Sequence, residues 1–247
     1  MDKAAPLTHG SLFTGIGGFD LGFEWAGFTT AWQVERSAYC RDVLERRFPG
    51  VPRYAEIADC GARNLAPVDV LTGGFPCQPC SLAGKRRGAS DDRWLWPQMR
   101  RIISALKPAW VVAENVYGLV ALQDGMVFES VLRDLEAEGY DVQPLVIPAC
   151  AVDAPHRRER VWILAHAPQQ RRQRRPVGPG SAEPQGPYAR AARLRRWAPE
   201  PRVGRVAYGV PHRVDRLTCL GNAAVPQVAY RIARGICEAI EGISGSP

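Results

Sequence analysis

Residues 8–18 read THGSLFTGIGG, an apolar strand candidate that runs into a turn carrying Gly15, Gly17 and Gly18. A helix candidate opens at the end of that turn. Strand, glycine turn and helix form the opening unit of an α/β fold. Glycine there lets the backbone take positive φ and pass close to a ligand. Glu35 follows at the end of the second strand candidate. An acid about 20 residues beyond the turn can accept hydrogen bonds from both hydroxyls of an adenosine ribose. The glycines are spaced GxGG and not GxGxxG, so the pattern favours an adenosine-type ligand without specially favouring a dinucleotide.

Working outward, short apolar runs alternate with amphipathic stretches. Strands are expected near 8–13, 29–34, 68–72, 109–113, 141–147 and 160–166, and helices near 18–26, 37–47, 97–106, 126–138 and 223–241. Pro97 suits a first helical turn, where no amide hydrogen is needed. Ile102, Ile103 and Leu106 then share a face, as do Phe128, Val131, Leu132 and Leu135 in the next helix, which stops at Gly139. The alternation predicts an α/β fold with a mostly parallel sheet covered by helices on both faces. Runs such as WVVA fit strands buried on both sides.

The 247 residues make one or two domains. No apolar run is long enough to span a membrane and the first residues carry no apolar signal stretch, so a membrane or secreted protein is not expected. Seven scattered cysteines do not resemble a disulfide framework, which points to a reducing, cytoplasmic setting. The net charge of +7 is concentrated. Between Ala167 and Arg205 there are ten arginines against Glu183 and Glu200, with seven prolines and four glycines, while the rest is nearly neutral. Such a segment suits either a phosphate-bearing partner or a solvated loop. The organisation expected is an α/β domain over 1–166, a basic segment over 167–205, and a return over 206–247 whose helix folds back onto the first domain.

Three further stretches carry chemistry. The strand around Val70 leads into GGFPCQPCS, residues 73–81. Cys77 and Cys80 allow a redox couple, half a zinc site, or one nucleophilic cysteine. No second Cys pair exists to complete a zinc site, so no metal is expected. Pro79 and the following SLAGKRRGAS resemble a loop more than the helix a thioredoxin-like pair opens. A nucleophile at the carboxyl end of a parallel strand is the better geometric match. Next, Ala113-Glu114-Asn115-Val116 follows AWVV, and parallel strands share one carboxyl edge, so Glu114 would face Cys77 across a crevice. Last, HRRER at 156–160 precedes VWILAH. It reads as a solvated strand entry, or as Arg158 and Arg160 on one face orienting an oxyanion or phosphate.

The ordered set FTGIGG, Glu35, GGFPCQ, AENV, HRRER and LGNAAVP (220–226) resembles the C5-cytosine DNA methyltransferase family, over about residues 8–240. The closing run from Trp197 to Ala229 is similar to phage and prophage members. The resemblance implies a Rossmann-like fold that uses S-adenosyl-L-methionine and releases S-adenosyl-L-homocysteine. Phe13, Thr14, Gly15, Ile16 and Gly17 would line its methionine side and Glu35 its ribose. Glu56-Ile57 stands where the family usually has Asp-Ile at the adenine, with Asp59 nearby. Asn222 and Ala223 would close the pocket. Cys77 would attack C6 of a flipped-out cytosine, Glu114 would contact N3 and the amino group, and Arg158 and Arg160 would hold the O2 edge. Pro76, Gln78, Asn115, Ser81 and Arg86 would meet the substrate. His156 replaces a more usual glutamine. Residues 167–205 take the target-recognition position and are short for the family. Double-stranded DNA is the implied partner, with a cognate restriction endonuclease or a phage self-protection role, no membrane and a monomeric state. An RNA substrate, a silent DNA-binding relative and a nicotinamide dehydrogenase are the competing readings.

Overall fold

A computed structural model describes residues 5–76, 94–168 and 212–244. In chain order the strands are β1 (Thr8–Leu12), β2 (Thr29–Val34), β3 (Arg53–Tyr54), β4 (Val70–Gly73), β5 (Trp110–Val116), β6 (Asp141–Pro148) and β7 (Glu159–His166). The helices are α1 (Gly18–Trp25), α2 (Ala38–Arg47), α3 (Trp96–Leu106), α4 (Met126–Ala137), α5 (Arg213–Asn222) and α6 (Pro226–Ser244), with short 3-10 turns at Ile57–Asp59, Tyr117–Leu119 and Ala149–Val152.

The described strands form one sheet in the order β3-β2-β1-β4-β5-β7-β6. Every neighbouring pair from β3 to β5 is parallel, and β7 alone runs against its neighbours β5 and β6. The order reverses between β1 and β4, the position where open α/β sheets bind their ligands at the carboxyl ends of the strands. The chain leaves β1 there into Phe13–Gly17 and leaves β4 there into Gly74–Pro76.

Side chains alternate between two apolar layers, as the two-residue period of a strand requires. Leu71, Val111, Ala113, Val161 and Ile163 face the layer of Met99, Ile102 and Ile103 from α3 and Val131 and Leu135 from α4. Val70, Val112 and Trp162 face the other, built from Phe19 and Phe23 of α1 and Val228, Ala229, Ile232 and Ile236 of α6. The central strands are buried on both sides, which is why they read as unbroken apolar runs.

Three differences from the sequence reading have physical causes. β5 continues through Glu114-Asn115-Val116, where a strand end at 113 is expected. The antiparallel partner keeps pairing there, Glu114 opposite Trp162 and Val116 opposite Arg160. β3 is only two residues long and leaves no periodic signal. α5 was not expected, because its exposed Val214, Leu217 and Leu220 give it no ordinary buried face. The basic segment 169–205 lies outside the described residues.

Candidate active site at the carboxyl edge of the sheet

The glycine turn is held from below and left open above. Phe13, Gly15 and Gly17 have φ of 54°, 59° and 86°, all left-handed. For Phe13 that conformation costs about 1–3 kcal/mol, and such strain persists where neighbours over-determine it, often at functional sites. Thr14 supplies that restraint, its amide and hydroxyl both donating to Val34 O at 3.1 and 3.2 Å. A Cβ placed on Gly15 would meet nothing within 4 Å, so the turn faces open space.

Glu35 belongs to the same cradle. Its Oε2 accepts from the Gly15 amide at 2.7 Å and its Oε1 from the Ser37 amide at 2.7 Å. With one bond accepted at each oxygen, the carboxylate keeps lone pairs for further donors. That donor and acceptor set fits the ribose end of S-adenosylmethionine. Half-buried Ile16 completes the turn. Glu56 is exposed and faces Arg36 at 3.5 Å, while its neighbour Ile57 packs into the core. The amide of Glu35 donates to Tyr54 O at 2.9 Å, which brings this stretch beside the cradle.

The LGNAAVP run closes in from the other end of the chain. A Cβ on Gly18 would strike Ala224 O, and one on Gly22 would strike Pro226 O, so only glycine allows α1 to approach this backbone so closely. Asn222 is exposed here, and Ala223 O accepts from Arg158 Nη2 at 2.7 Å. The first and last motifs therefore meet at the glycine turn.

A second cluster lies on the same edge. Because β7 is antiparallel, its amino end reaches the carboxyl end of β5, and Arg160 Nε comes within 3.0 Å of Glu114 Oε1. Glu114 is only 7% exposed. Burial pushes its carboxyl up to about 7, against the pull of Arg160 and then Arg158. A carboxyl near neutrality can hold or accept a proton at working pH. Its other oxygen lies 3.3 Å from where a Gly74 Cβ would be, so a side chain at 74 would crowd it. Asn115, also buried, donates from Nδ2 to Phe75 O at 2.9 Å and accepts at Oδ1 from the Val116 amide. It ties β5 to the backbone that enters Pro76. Phe75 in turn packs against Trp94 and Trp96, ring centroids 5.6 and 5.2 Å away.

Arg158 and Arg160 do not act as a simple alternating pair. Arg158 precedes the strand with φ of 34°, and its guanidinium donates to Gly221 O at 2.8 Å as well as to Ala223 O. It joins HRRER to LGNAAVP, whereas Arg160 joins it to Glu114. Burial draws the Arg158 pKa down, helped by the neighbouring Arg160 charge. Cys77, Gln78, Ser81 and Arg86 lie outside the described residues, as does Cys80. Pro76 is the last described residue before them.

Two groupings escaped the sequence reading. Cys40 of α2 and Cys219 of α5, read as isolated cysteines, bring their Sγ atoms to 3.0 Å across 179 positions. Burial pushes the Cys40 thiol up to about 12. Asp20, Ser11 and Gln33 form a polar group beneath the glycine turn, which no spacing rule marks. Among the described residues, no three His, Cys, Asp or Glu side chains are placed to hold a metal, and no helix is long and apolar enough to cross a membrane.

Residues 7–195 match the sequence model of the C-5 cytosine-specific DNA methylase. The Type II methyltransferase M.NgoBI of Neisseria gonorrhoeae is 35% identical over 175 residues, covering 68% of this chain and 55% of that protein. M.HaeII of Haemophilus aegyptius, another Type II methyltransferase, is 35% identical over 154 residues, covering 62% and 48%. The chain thus spans about half the length of the curated relatives it matches. A crystal structure described as a DNA modification methyltransferase encoded within a prophage of E. coli superposes with a TM-score of 0.57 at 27% identity, over 66% of this chain and 47% of that one. The Entamoeba histolytica methyltransferase EhMeth superposes with a TM-score of 0.55 over 66% of this chain and 53% of that one, at 18% identity, and speaks for the fold alone. The sheet is that of a Rossmann-like methyltransferase, and the chain belongs to the C-5 cytosine-specific DNA methylase family.

Proposed function

We propose that this protein transfers a methyl group from S-adenosylmethionine to C5 of a flipped-out cytosine in double-stranded DNA. The observation that carries the reading is the Glu114–Arg160 pair standing beside the Phe75-Pro76 backbone, on the same sheet edge as the open glycine turn. The cofactor, when bound, supplies an electrophilic methyl group; the chain's own residues make the cytosine ring able to accept it.

Cytosine C5 is a weak nucleophile. Addition of the Cys77 thiolate to C6 pushes the ring electrons toward N3 and O2 and leaves C5 electron-rich. Glu114, with its carboxyl near 7, provides the proton or hydrogen bond that N3 needs as charge builds there, and accepts from the amino group. Arg160 holds that carboxyl in place, and Arg158 holds the cofactor-closing run against the same edge. Loss of the C5 proton to a base then expels the thiolate and restores the ring. The target must leave the stack before any of this, since C6 is out of reach inside a duplex.

Arg171, Arg172, Arg174 and Arg175 would meet phosphates without reading sequence, with Tyr188, Arg190, Arg193 and Trp197 nearer the bases. The protein would act as a cytoplasmic monomer, either beside a cognate endonuclease or as a prophage self-protection enzyme. Incubating purified protein with DNA and S-adenosylmethionine, then analysing nucleosides by mass spectrometry, tests the reaction. 5-Methyldeoxycytidine is expected from wild type and not from Cys77→Ser, while Cys80→Ser retains activity. Equal loss in both cysteine variants would return the pair to a redox or metal role. Methylation of RNA in place of DNA, or binding of DNA without any product, would overturn the reading in favour of its two nearest rivals.

A further inference from the structure

We propose that Asp20 is a positioning residue for the cofactor, its buried carboxylate setting the shape of the glycine turn through Ser11 and Gln33. The proposal rests on the cofactor assignment above and adds a residue that makes no contact with the ligand in that reading.

Asp20 is completely buried in the first turn of α1. Ser11 Oγ donates to its two oxygens at 3.1 and 3.2 Å, and Gln33 Nε2 donates to Oδ1 at 2.8 Å. A buried carboxylate surrounded only by neutral donors is expensive, and substitution by an apolar residue would ordinarily be no worse for folding. The position offsets part of the cost, because the amino end of a helix favours negative charge.

What the carboxylate organises is the cradle. Ser11 Oγ also meets Thr14 Oγ1 at 2.7 Å, and Thr14 grips Val34 O. Gln33 precedes Val34 and Glu35, and Glu35 fixes the Gly15 amide. Asp20 thus bonds from α1 to both the strand before the turn and the strand that leads to the ribose acid. Gln33 Oε1 accepts from Arg53 Nε at 2.8 Å, so the Arg53 guanidinium is linked to Asp20 through Gln33.

The bond directions depend on the charge of Asp20. As a carboxylate it accepts from both Ser11 and Gln33. Once protonated, one oxygen becomes a donor, and Ser11 must turn to accept from it. Burial raises the Asp20 carboxyl to about 6, opposed by the bonds from Gln33 and Ser11 and assisted by Glu24 on the same helix. Ser11 of β1 and Gln33 of β2, both neutral, bond to it; His9, on the same face of β1 as Ser11 and stacked on Phe23 of α1, is kept uncharged by burial. Asp20→Asn copies the protonated geometry at every pH.

The test is calorimetric titration of the full chain with S-adenosylhomocysteine, which reads binding without turnover. Wild type should bind more weakly as pH falls below about 6, whereas Asp20→Asn should be weakened about tenfold at pH 7.5 and show a flat profile across that range. Ser11→Ala, which cuts the link to Thr14 but keeps the charge, should also lose affinity. In both variants the rate at saturating cofactor and the affinity for DNA should stay near wild type. Asp20→Asn and Ser11→Ala that bind like wild type would overturn the proposal, as would an equal loss of DNA affinity, which marks a general structural defect. If Asp20→Asn fails to fold, Ser11→Ala decides alone. Wild type that does not bind the cofactor product at all would instead sink the cofactor assignment.

Discussion

Arg160 Nε sits 3.0 Å from Glu114 Oε1, with the two side chains only 18% and 9% exposed, although the residues are 46 positions apart. The contact exists because one strand of an otherwise parallel sheet runs backwards. Removing either member leaves the other with a buried charge. Arg160→Ala should therefore cost about 3 kcal/mol of stability above pH 7. Glu114→Gln should cost less, since a neutral amide can still accept from the guanidinium. Urea unfolding of both variants at pH 8 checks the order, and a smaller loss in Arg160→Ala would contradict it.

The same carboxyl gives stability a pH dependence of known sign. Its pKa rises from 4.5 to about 7 on folding, so the folded state holds the proton more tightly than the unfolded chain. Its contribution is fully present below pH 4.5 and is lost as pH rises toward 7. Glu114→Gln should remove that slope. The stability difference between variant and wild type, measured by urea unfolding, should shift in the variant's favour between pH 4.5 and 7 and then level off.

Asn115→Ala should act on turnover more than on cofactor binding. It leaves Phe75 O, two residues before Cys77, without its donor, at a cost of about 1–3 kcal/mol for a buried group. Single-turnover methylation is expected to slow at least tenfold while calorimetric affinity for S-adenosylhomocysteine is unchanged. A loss confined to cofactor affinity would place Asn115 in the wrong half of the site.

Gly18→Ala should separate α1 from the LGNAAVP backbone, because the added methyl collides with Ala224 O. Overpacking of this kind costs about 1–3 kcal/mol. Here it should also loosen the Arg158 anchor at Gly221 and Ala223. Both a lower melting temperature and weaker cofactor binding are expected, whereas Gly139→Ala, on the far side of α4, should lower only the first.

The sheet was legible because its strands are long apolar runs or alternate cleanly, and because α3 and α4 carry helical spacing with a proline start and a glycine stop. The places of Glu35 just after β2 and of Glu114 near the end of β5 were legible for a related reason, since each closes a strand-like run. Asp20 was not. In sequence it is an ordinary acid in a first helical turn, and only the approach of Ser11 and Gln33 from two strands makes it a hub. Nor was the division of labour between Arg158 and Arg160 legible, since it depends on a positive φ at Arg158 and on carbonyls 63 and 65 positions away. The contact between Cys40 and Cys219 depends likewise on α5, a helix without a clear periodic stripe.

The packing of α6 against α1 also governs the order in which this protein can be made. Phe19 and Phe23 lie early in the chain, and Val228, Ala229, Ile232 and Ile236, which cover them, come about 200 residues later. At ribosomal rates that interval is roughly 10–40 s. Throughout it, α1 has only the sheet side of this layer, through Val70, Val112 and Trp162, to pack against, and the glycine turn lacks its closing backbone. A ribosome that stalls before residue 226 would release a chain unable to finish its first helix layer, prone to self-association and to capture by chaperones.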